Sequence, residues 1–267
     1  MTLQKWIKDR AIHGYPTFSI EDVRETGMYS SEQIMKNELN RLCTNKTIVN
    51  VYRGFYVIIP VHYVLRGSVP ATYYIDLLMA YLKKPYYVCM LSAAELLGAA
   101  HQRPQHFSVM TTLPRRQLET TRNVTIGWFY RDALPEDALI IKNTETGTIR
   151  VSNPLLTAAD LVQNQQHVGG LSRVATILEE LAEQIDIDSQ LPALIPYVKT
   201  VTWQRLGYIF ESIIGDNETA DKLYEQLRPS SARMVYKPLS TSAEDNPATR
   251  DSRWKININV QIETDDI

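Results

Sequence analysis

Residues 18–60 read FSIEDVRETGMYSSEQIMKNELNRLCTNKTIVNVYRGFYVIIP, and this stretch decides the fold of the N-terminal part of the chain. Two helical patterns separated by Gly27 are followed by two strand patterns that join at Arg53 and Gly54. A further amphipathic helix pattern precedes them over 3–13. Three helices followed by a β-hairpin is the order of a winged helix-turn-helix, so the sequence predicts that fold here.

The ends of these helices carry recognisable capping signals. Ser19 is suited to cap a short helix over 20–25. Ser30 can cap the longer helix, with Gln33 three residues later as in a capping box. Asn45 is suited to the left-handed conformation that often follows a helix end. These signals predict where the longer helix begins and ends.

The longer helix has two different faces when its side chains are projected at about 100° per residue. One face is apolar and contains Met35, Leu39 and Leu42, with Ile34 and Cys43 beside them. An ordinary solvated face would be richer in Glu and Lys, whereas the opposite face here is built from side chains that hydrogen-bond base edges or phosphates. That polar face consists of Gln33, Lys36, Asn37, Asn40, Arg41 and Thr44.

The polar face predicts contact with duplex DNA, in which this helix enters the major groove. Contacts to phosphates or to the minor groove are expected from the serines at the helix start, the lysine after its end and the arginine of the hairpin turn. The alternative is a polar solvent face on an interaction module. The predicted DNA-binding residues are Ser30, Ser31, Gln33, Lys36, Asn37, Asn40, Arg41, Lys46 and Arg53.

The distribution of charge supports this interpretation. Residues 1–70 contain nine Lys/Arg and six Asp/Glu, whereas the whole chain of 267 residues has a net charge of −2. Attraction to phosphate is therefore expected at the N-terminal quarter. Because an excess of +3 is modest, one copy should bind weakly. We expect a monomer or weak dimer that pairs on an inverted-repeat operator.

The rest of the chain predicts a second, larger domain. Residues 63–72 have the composition of a linker, which places the winged helix-turn-helix at 1–62 and an α/β effector domain at 73–267. Short strand patterns alternate with helix patterns in this region. The final alternating segment, 253–263, predicts a terminal strand. The predicted fold class is α+β, an N-terminal winged helix-turn-helix followed by a mixed α/β C-terminal domain with several helices.

Composition argues against several other classes of protein. No apolar run is long enough for a membrane span, and the N-terminus lacks the apolar region of a signal peptide, so we expect a cytoplasmic protein without membrane contact. The motifs of nucleotide-binding and hydrolytic enzymes are absent, so no cofactor and no enzymatic activity are expected. His101 and His106 have no cysteine or carboxylate cluster near them, and no metal site is predicted.

Arg115 and Arg116 follow the strand pattern that ends at Thr112. The simplest interpretation is a solvated loop. The alternative is a second contact with nucleic acid or with a partner protein.

Five segments in order resemble the AbiEi antitoxin family of bacterial abortive-infection systems. The N-terminal winged helix ends in a segment that is similar to the family's wing, which carries an arginine, a glycine and an aromatic residue. The resemblance covers roughly residues 5–215. The segments are YRGFYVIIP at 52–60, YYVCMLSAAELLG at 86–98, HFSVMTT with PRR at 106–116, NPLLTAADLVQNQQHVGG at 153–170 and RLGYIFE at 205–211.

The resemblance implies a two-domain antitoxin that represses its own operon. The C-terminal domain would counter a toxin that resembles a nucleotidyltransferase, without a stable complex between the two proteins. The residues alone leave two alternative functions open. One is a stand-alone regulator with a ligand-sensing second domain, which a deep apolar pocket would favour. The other is a nuclease or nucleotide-handling enzyme, which a carboxylate cluster with a lysine would favour.

Overall fold

The computed structural model describes residues 1–67, 69–99, 104–115, 126–228, 234–244 and 249–263. The α+β class predicted from the sequence is confirmed, with several separate sheets. The chain forms two compact units, each assembled from three segments. The first unit comprises Met1–Tyr86, Val109–Asp132 and Ile141–Arg150, and the second comprises Tyr87–Ser108, Ala133–Ile140 and Val151–Ile267.

The N-terminal part of the first unit is a small helical bundle with a three-stranded sheet. The strand order is β1-β3-β2, with both pairs antiparallel. A later helix of the same unit, α4, spans Ile75–Leu82. The N-terminal elements are α1 (Leu3–Ile12), β1 (Thr17–Ser19), α2 (Ile20–Glu25), α3 (Glu32–Thr44), β2 (Ile48–Tyr52) and β3 (Phe55–Ile58).

One buried apolar cluster joins these N-terminal elements. The aromatic rings of Trp6 and Tyr56 pack on Phe18, edge-on at 5.4 Å and stacked at 5.3 Å between ring centroids. All three helices and the sheet contribute side chains, so burial of apolar area fixes their arrangement. The buried members are Leu3, Ile7, Phe18, Val23, Met35, Leu39, Leu42, Ile48 and Ile58.

The predicted start of α3 is wrong by one residue, whereas the helix ends beside Asn45 as predicted. The N-cap residue is Ser31 rather than Ser30, and its side chain makes no capping hydrogen bond. At the other end Asn45 has a φ of −79°, whereas Lys46 takes the left-handed conformation with a φ of 55°. A capping box does form at the start of α2, where the side chain of Asp22 accepts from the Ser19 amide at 2.7 Å.

A five-stranded sheet has the order β6-β5-β4-β8-β7. β4 pairs with β8 in parallel, and Val88 lies opposite Val151. The helix α5 (Met90–Leu97) follows β4 directly. The strands are β4 (Tyr86–Val88), β5 (Phe107–Thr112), β6 (Ile126–Arg131), β7 (Leu139–Thr144) and β8 (Gly147–Ser152).

The second unit continues with a group of helices. Asn153 caps the first of them by accepting from the Leu156 amide at 2.8 Å, and Pro154 occupies its first turn. A π-helical segment, Ile209–Ile214, follows α9 directly. The helices are α6 (Pro154–Gln163), α7 (Leu171–Ala182), α8 (Ile187–Gln190), α9 (Thr200–Tyr208) and α10 (Asn217–Leu227).

The last elements of the second unit form a small C-terminal sheet. Its strands are β9 (Lys237–Pro238), β10 (Thr249–Asp251) and β11 (Ile256–Ile258), in the order β10-β11-β9. The predicted strand over 253–263 is therefore wrong in length, because β11 spans only three residues.

This C-terminal sheet is anchored on α9 and the π-helical segment. The indole of Trp254 is fully buried against Gly207, where a Cβ atom would overlap the ring. The Arg205 guanidinium donates to the Pro238 carbonyl at 2.9 and 3.0 Å, and Gln204 Nε2 donates to the Trp254 carbonyl at 2.7 Å. Arg253 Nη1 donates to Glu211 Oε1 at 2.9 Å. The segment RLGYIFE thus holds the C-terminal sheet.

Candidate nucleic-acid interface

The polar face of α3 lies on the surface. Its apolar face is buried through Met35, Leu39 and Leu42, and this anchoring fixes the direction in which the rest of the helix points. Ile34, expected beside the apolar stripe, is instead 56% exposed, and Cys43 is half-buried. The polar side chains exposed by this arrangement are Gln33, Lys36, Asn37, Asn40, Arg41 and Thr44.

Two amides of this face are hydrogen-bonded to each other. Gln33 Nε2 donates to Asn37 Oδ1 at 2.9 Å, and both side chains are exposed. The two residues are four apart, the spacing at which side chains on a helix meet. The bond therefore orients the Asn37 amide on the helix surface.

Two of the cations near α3 form ion pairs with carboxylates of α2 and α3. Arg24 contacts Glu32 through Nε at 2.6 Å and Nη2 at 3.1 Å, and it also contacts Glu21 at 2.9 Å. Lys36 Nζ lies 3.5 Å from Glu32. These interactions tie the start of α3 to α2 and neutralise part of the positive charge on this surface.

A second ion pair lies on the other flank of α3. The Arg41 guanidinium donates to both carboxylate oxygens of Glu38, at 2.9 and 2.7 Å. The hydrogen bond from Arg41 lowers the pKa of Glu38, and the hydrogen bond from Arg24 lowers the pKa of Glu32. Both carboxylates consequently remain ionised further into the acid range than an isolated glutamate.

The β2–β3 turn presents Arg53 beside this helix surface. The turn is held in place because the Ile20 amide donates to the Gly54 carbonyl at 2.8 Å, and Gly54 has a φ of 75°. Asn50 Nδ2 donates to the carbonyls of Tyr52 at 2.9 Å and Phe55 at 3.2 Å, at a register shift in the hairpin. Arg53 is exposed, and it forms no ion pair with a carboxylate within the described part of the chain.

A cleft of about 600 Å³ brings three of the predicted residues together. Lys36, Asn40 and Arg53 line it, so α3 and the hairpin turn share one concave surface. Its other lining residues come from α2, the hairpin and α4. They are Ile20, Glu21, Arg24, Asn50, Gly54, Tyr56 and Tyr81.

The remaining predicted residues near α3 lie outside this cleft. Ser30 is exposed and Ser31 is half-buried at the start of the helix. Lys46 is exposed at the far end of α3, and its side chain passes close to Gly67. Their positions at the two ends of α3 are compatible with contacts to the phosphates of a DNA strand that runs along the helix.

The predicted second contact is only partly described. Arg115 is exposed, and its guanidinium lies 5.7 Å from the centroid of the Tyr130 ring. Arg116 lies outside the described residues. Arg115 does not line the cleft formed by α3 and the hairpin turn.

Sequence reasoning missed the charged residues that form ion pairs at this surface. Arg24, Glu32 and Glu38 were not among the predicted site residues, although they determine how much positive charge it presents. The spacing of four between Glu32 and Lys36 is a recognisable signal for a helical ion pair. The contact between Arg24 and Glu32 has no such signal, since it depends on how α2 packs beside α3.

Two further features bear on other classes of function. Within the ranges that the structure describes, no group of three His, Cys, Asp or Glu residues is arranged to hold a metal ion. Over the same ranges, none of the helices has both the length and the apolar character required to cross a bilayer. His101, one of the two histidines considered above, lies outside the described residues.

Residues 86–212 match the family model of the AbiEi antitoxin C-terminal domain. The predicted resemblance to the AbiEi antitoxin family is confirmed for this segment. The AbiEi segment, as we call residues 86–212, runs from β4 into the π-helical segment that follows α9. Four of the five motifs that carried the resemblance fall within it.

The fold of the whole chain has a counterpart among solved structures. The crystal structure of the RV2827C protein from Mycobacterium tuberculosis aligns with a TM-score of 0.66 and 14% sequence identity, covering 94% of this chain and 88% of that chain. At this identity the likeness shows a shared fold. No curated protein sequence matches the chain.

Proposed function

We propose that this protein is an antitoxin that also represses transcription of its own operon. The observation that carries the proposal is the match of the AbiEi segment to an antitoxin domain. A toxin–antitoxin role is the general function that this match supports. The DNA-binding and partner details rest on the N-terminal surface and on the family resemblance.

In this proposal residues 1–62 form a winged helix-turn-helix, 63–72 a linker and 73–267 the effector domain. The element order α1-β1-α2-α3-β2-β3 supports it, with α3 as the recognition helix and the β2–β3 hairpin as the wing. The exposed polar side chains of α3 lie opposite the buried stripe, where a major groove could receive them.

The proposed DNA contacts divide by chemistry. Gln33, Asn37 and Asn40 are suited to base edges, because side-chain amides offer both a donor and an acceptor. The cations and hydroxyls are suited to phosphates. Arg53, at the tip of the wing, is also placed to contact the minor groove. The proposed phosphate contacts are Ser30, Ser31, Lys36, Arg41, Lys46 and Arg53.

Two copies on an inverted repeat would supply the affinity that one copy lacks. One N-terminal region carries a net charge of only +3, and several of its cations are engaged by carboxylates. Pairing on two half-sites doubles the number of phosphate contacts. The proposed partners are double-stranded DNA and a toxin that resembles a nucleotidyltransferase.

Operator binding is tested with the double variant Asn37→Ala, Arg41→Ala. We expect it to lose retardation of a duplex taken from upstream of its own gene in a gel-shift titration, and to keep the wild-type circular dichroism spectrum. The matched control is the double variant Glu179→Ala, Glu183→Ala of two glutamates near the end of α7, which should bind as wild type does. An unchanged shift for the α3 variant would contradict the DNA-binding assignment.

The antitoxin role is tested by co-expression with the adjacent reading frame. If that frame encodes a nucleotidyltransferase-like toxin, its expression alone should arrest growth, and the full chain should restore growth. The Asn37→Ala, Arg41→Ala variant should also restore growth, because repression and neutralisation reside in different parts of the chain. Persistent arrest with the wild-type chain would contradict the antitoxin proposal.

A further inference from the structure

The hydrogen-bonded pair Gln33 and Asn37 occupies the part of α3 that points away from the protein. At about 100° per residue, both side chains project almost opposite the buried stripe of Met35, Leu39 and Leu42. Lys36 and Asn40 lie to one side of the pair, and both line the cleft with Arg53. On the other side Arg41 is engaged by Glu38.

The hydrogen bond gives the Asn37 amide a defined orientation. Because Asn37 Oδ1 accepts from Gln33 Nε2, the amide nitrogen of Asn37 keeps both of its hydrogens for an external acceptor. The oxygen keeps one lone-pair direction for an external donor. A hydrogen bond between two exposed side chains adds little to helix stability, so its main physical effect is this orientation.

An amide held in this way is complementary to one base in the major groove. Adenine presents N7 as an acceptor and the N6 amino group as a donor, side by side. Guanine presents two acceptors at the same positions, so the Asn37 oxygen would face the guanine O6 oxygen. Adenine is therefore the base that satisfies both atoms of the fixed amide.

We propose, resting on the DNA-binding function above, that Asn37 reads one adenine in each half-site and that Gln33 is the positioning residue that holds its amide. The neighbouring cations are then left for phosphates. Asn40 lies on the flank shared with Lys36 and Arg53, to one side of the base that Asn37 would contact.

The experiment uses the full chain and a library of synthetic duplexes with a randomised central region. Wild-type protein should retain duplexes that share an adenine at one position of each half-site. Replacing that A·T pair should weaken binding by about fivefold to a hundredfold, the range for one bidentate base contact. With Asn37→Ala, all four base pairs at that position should bind equally well.

Two Gln33 variants distinguish the hydrogen bond to Asn37 from the size of the Gln33 side chain. Gln33→Ala should reduce the adenine preference severalfold while leaving part of it. Gln33→Glu keeps the size but removes the N–H donor, so it should reduce the same preference at least as far. Lys36→Ala is the control: it should weaken binding to every duplex alike and reduce the slope of log K against log salt by about one, with the base preference intact.

The outcomes distinguish this inference from the function on which it rests. If the wild-type chain binds duplexes but Asn37→Ala keeps the same base preference, the adenine reading is overturned and DNA binding stands. An unchanged preference in both Gln33 variants would overturn the positioning role. If the wild-type chain retains no duplex even at low salt, the DNA-binding function fails, and the reading of adenine fails with it.

Discussion

The polar side chains of α9 bind another part of the protein, whereas those of α3 are exposed on the surface. On α9 and the π-helical segment, Gln204, Arg205 and Glu211 are directed at backbone and side chains of the C-terminal sheet. On α3 the polar side chains are exposed, and their bonds run to near neighbours on α2 and α3. The first set is engaged in holding the fold, whereas the second remains accessible to a ligand.

The difference shows why polarity alone does not identify a functional surface. Buried polar groups require partners, and in RLGYIFE those partners belong to the protein itself. Exposed amides on α3 have no comparable role in stability, since surface substitutions usually change it by less than about 0.5 kcal/mol. Substitutions at the two regions should therefore change different measurements.

The largest expected effect is at Trp254. Trp254→Ala should lower the free energy of unfolding by about 3–5 kcal/mol, because it empties a fully buried site. Chemical denaturation followed by circular dichroism measures it. Tyr197→Ala, which removes an aromatic ring that is 40% exposed, is the matched control and should cost far less. A small loss for Trp254→Ala would show that the C-terminal sheet contributes little to the second unit.

A smaller loss is expected at Gly207. Gly207→Ala should lower the free energy of unfolding by about 1–3 kcal/mol, because the added methyl group overlaps the Trp254 ring. The same substitution in a Trp254→Ala background should be neutral or stabilising, since alanine favours a helix more than glycine does. Equal losses in the two backgrounds would rule out this steric cause.

Effects on binding rather than folding are expected at Glu38. Glu38→Gln should raise the affinity for duplex DNA severalfold, because it releases Arg41 and removes a negative charge from α3. Fluorescence anisotropy at fixed ionic strength measures it. Glu25→Gln, a change of the same charge on α2, is the control for the general effect of charge. An equal gain from both variants would exclude a specific role for the Glu38–Arg41 pair.

The smallest expected effect is the pH dependence of the affinity gained by Glu38→Gln. The hydrogen bond from Arg41 lowers the pKa of Glu38 below its ordinary value of 4.5. The pair is therefore fully formed above the ordinary glutamate pKa and is lost as the pH falls through the lowered one. The gain from Glu38→Gln should be constant from about pH 8 to about pH 5.5. A gain that disappears near neutral pH would contradict the assignment.

Much of α3 was predictable from its sequence. The spacing of Met35, Leu39 and Leu42 identifies the buried stripe, because each of these side chains meets the core in the same direction. The exposed face follows by geometry. The two strands on either side of Arg53 and Gly54 were predictable for a similar reason, since short alternating runs around a glycine turn have few other arrangements.

The features that were not predicted depend on packing and pairing that residue spacing alone does not encode. Ser30 and Gln33 have the spacing of a capping box, yet the backbone becomes helical one residue later. The contact of Arg24 with Glu32 requires the packing of α2 beside α3. The final strand ends at Ile258, although the alternation of apolar and polar residues continues beyond it.

Lys46 has a consequence for how this surface can change through mutation. Its backbone is left-handed, a conformation that costs a side-chain-bearing residue about 1–3 kcal/mol and that glycine or asparagine adopts more readily. Selection for stability alone would therefore drive this position away from lysine. Lys46→Asn would keep a residue that tolerates this conformation while removing the positive charge, so comparing the two chains separates the backbone strain at this end of α3 from the effect of its charge.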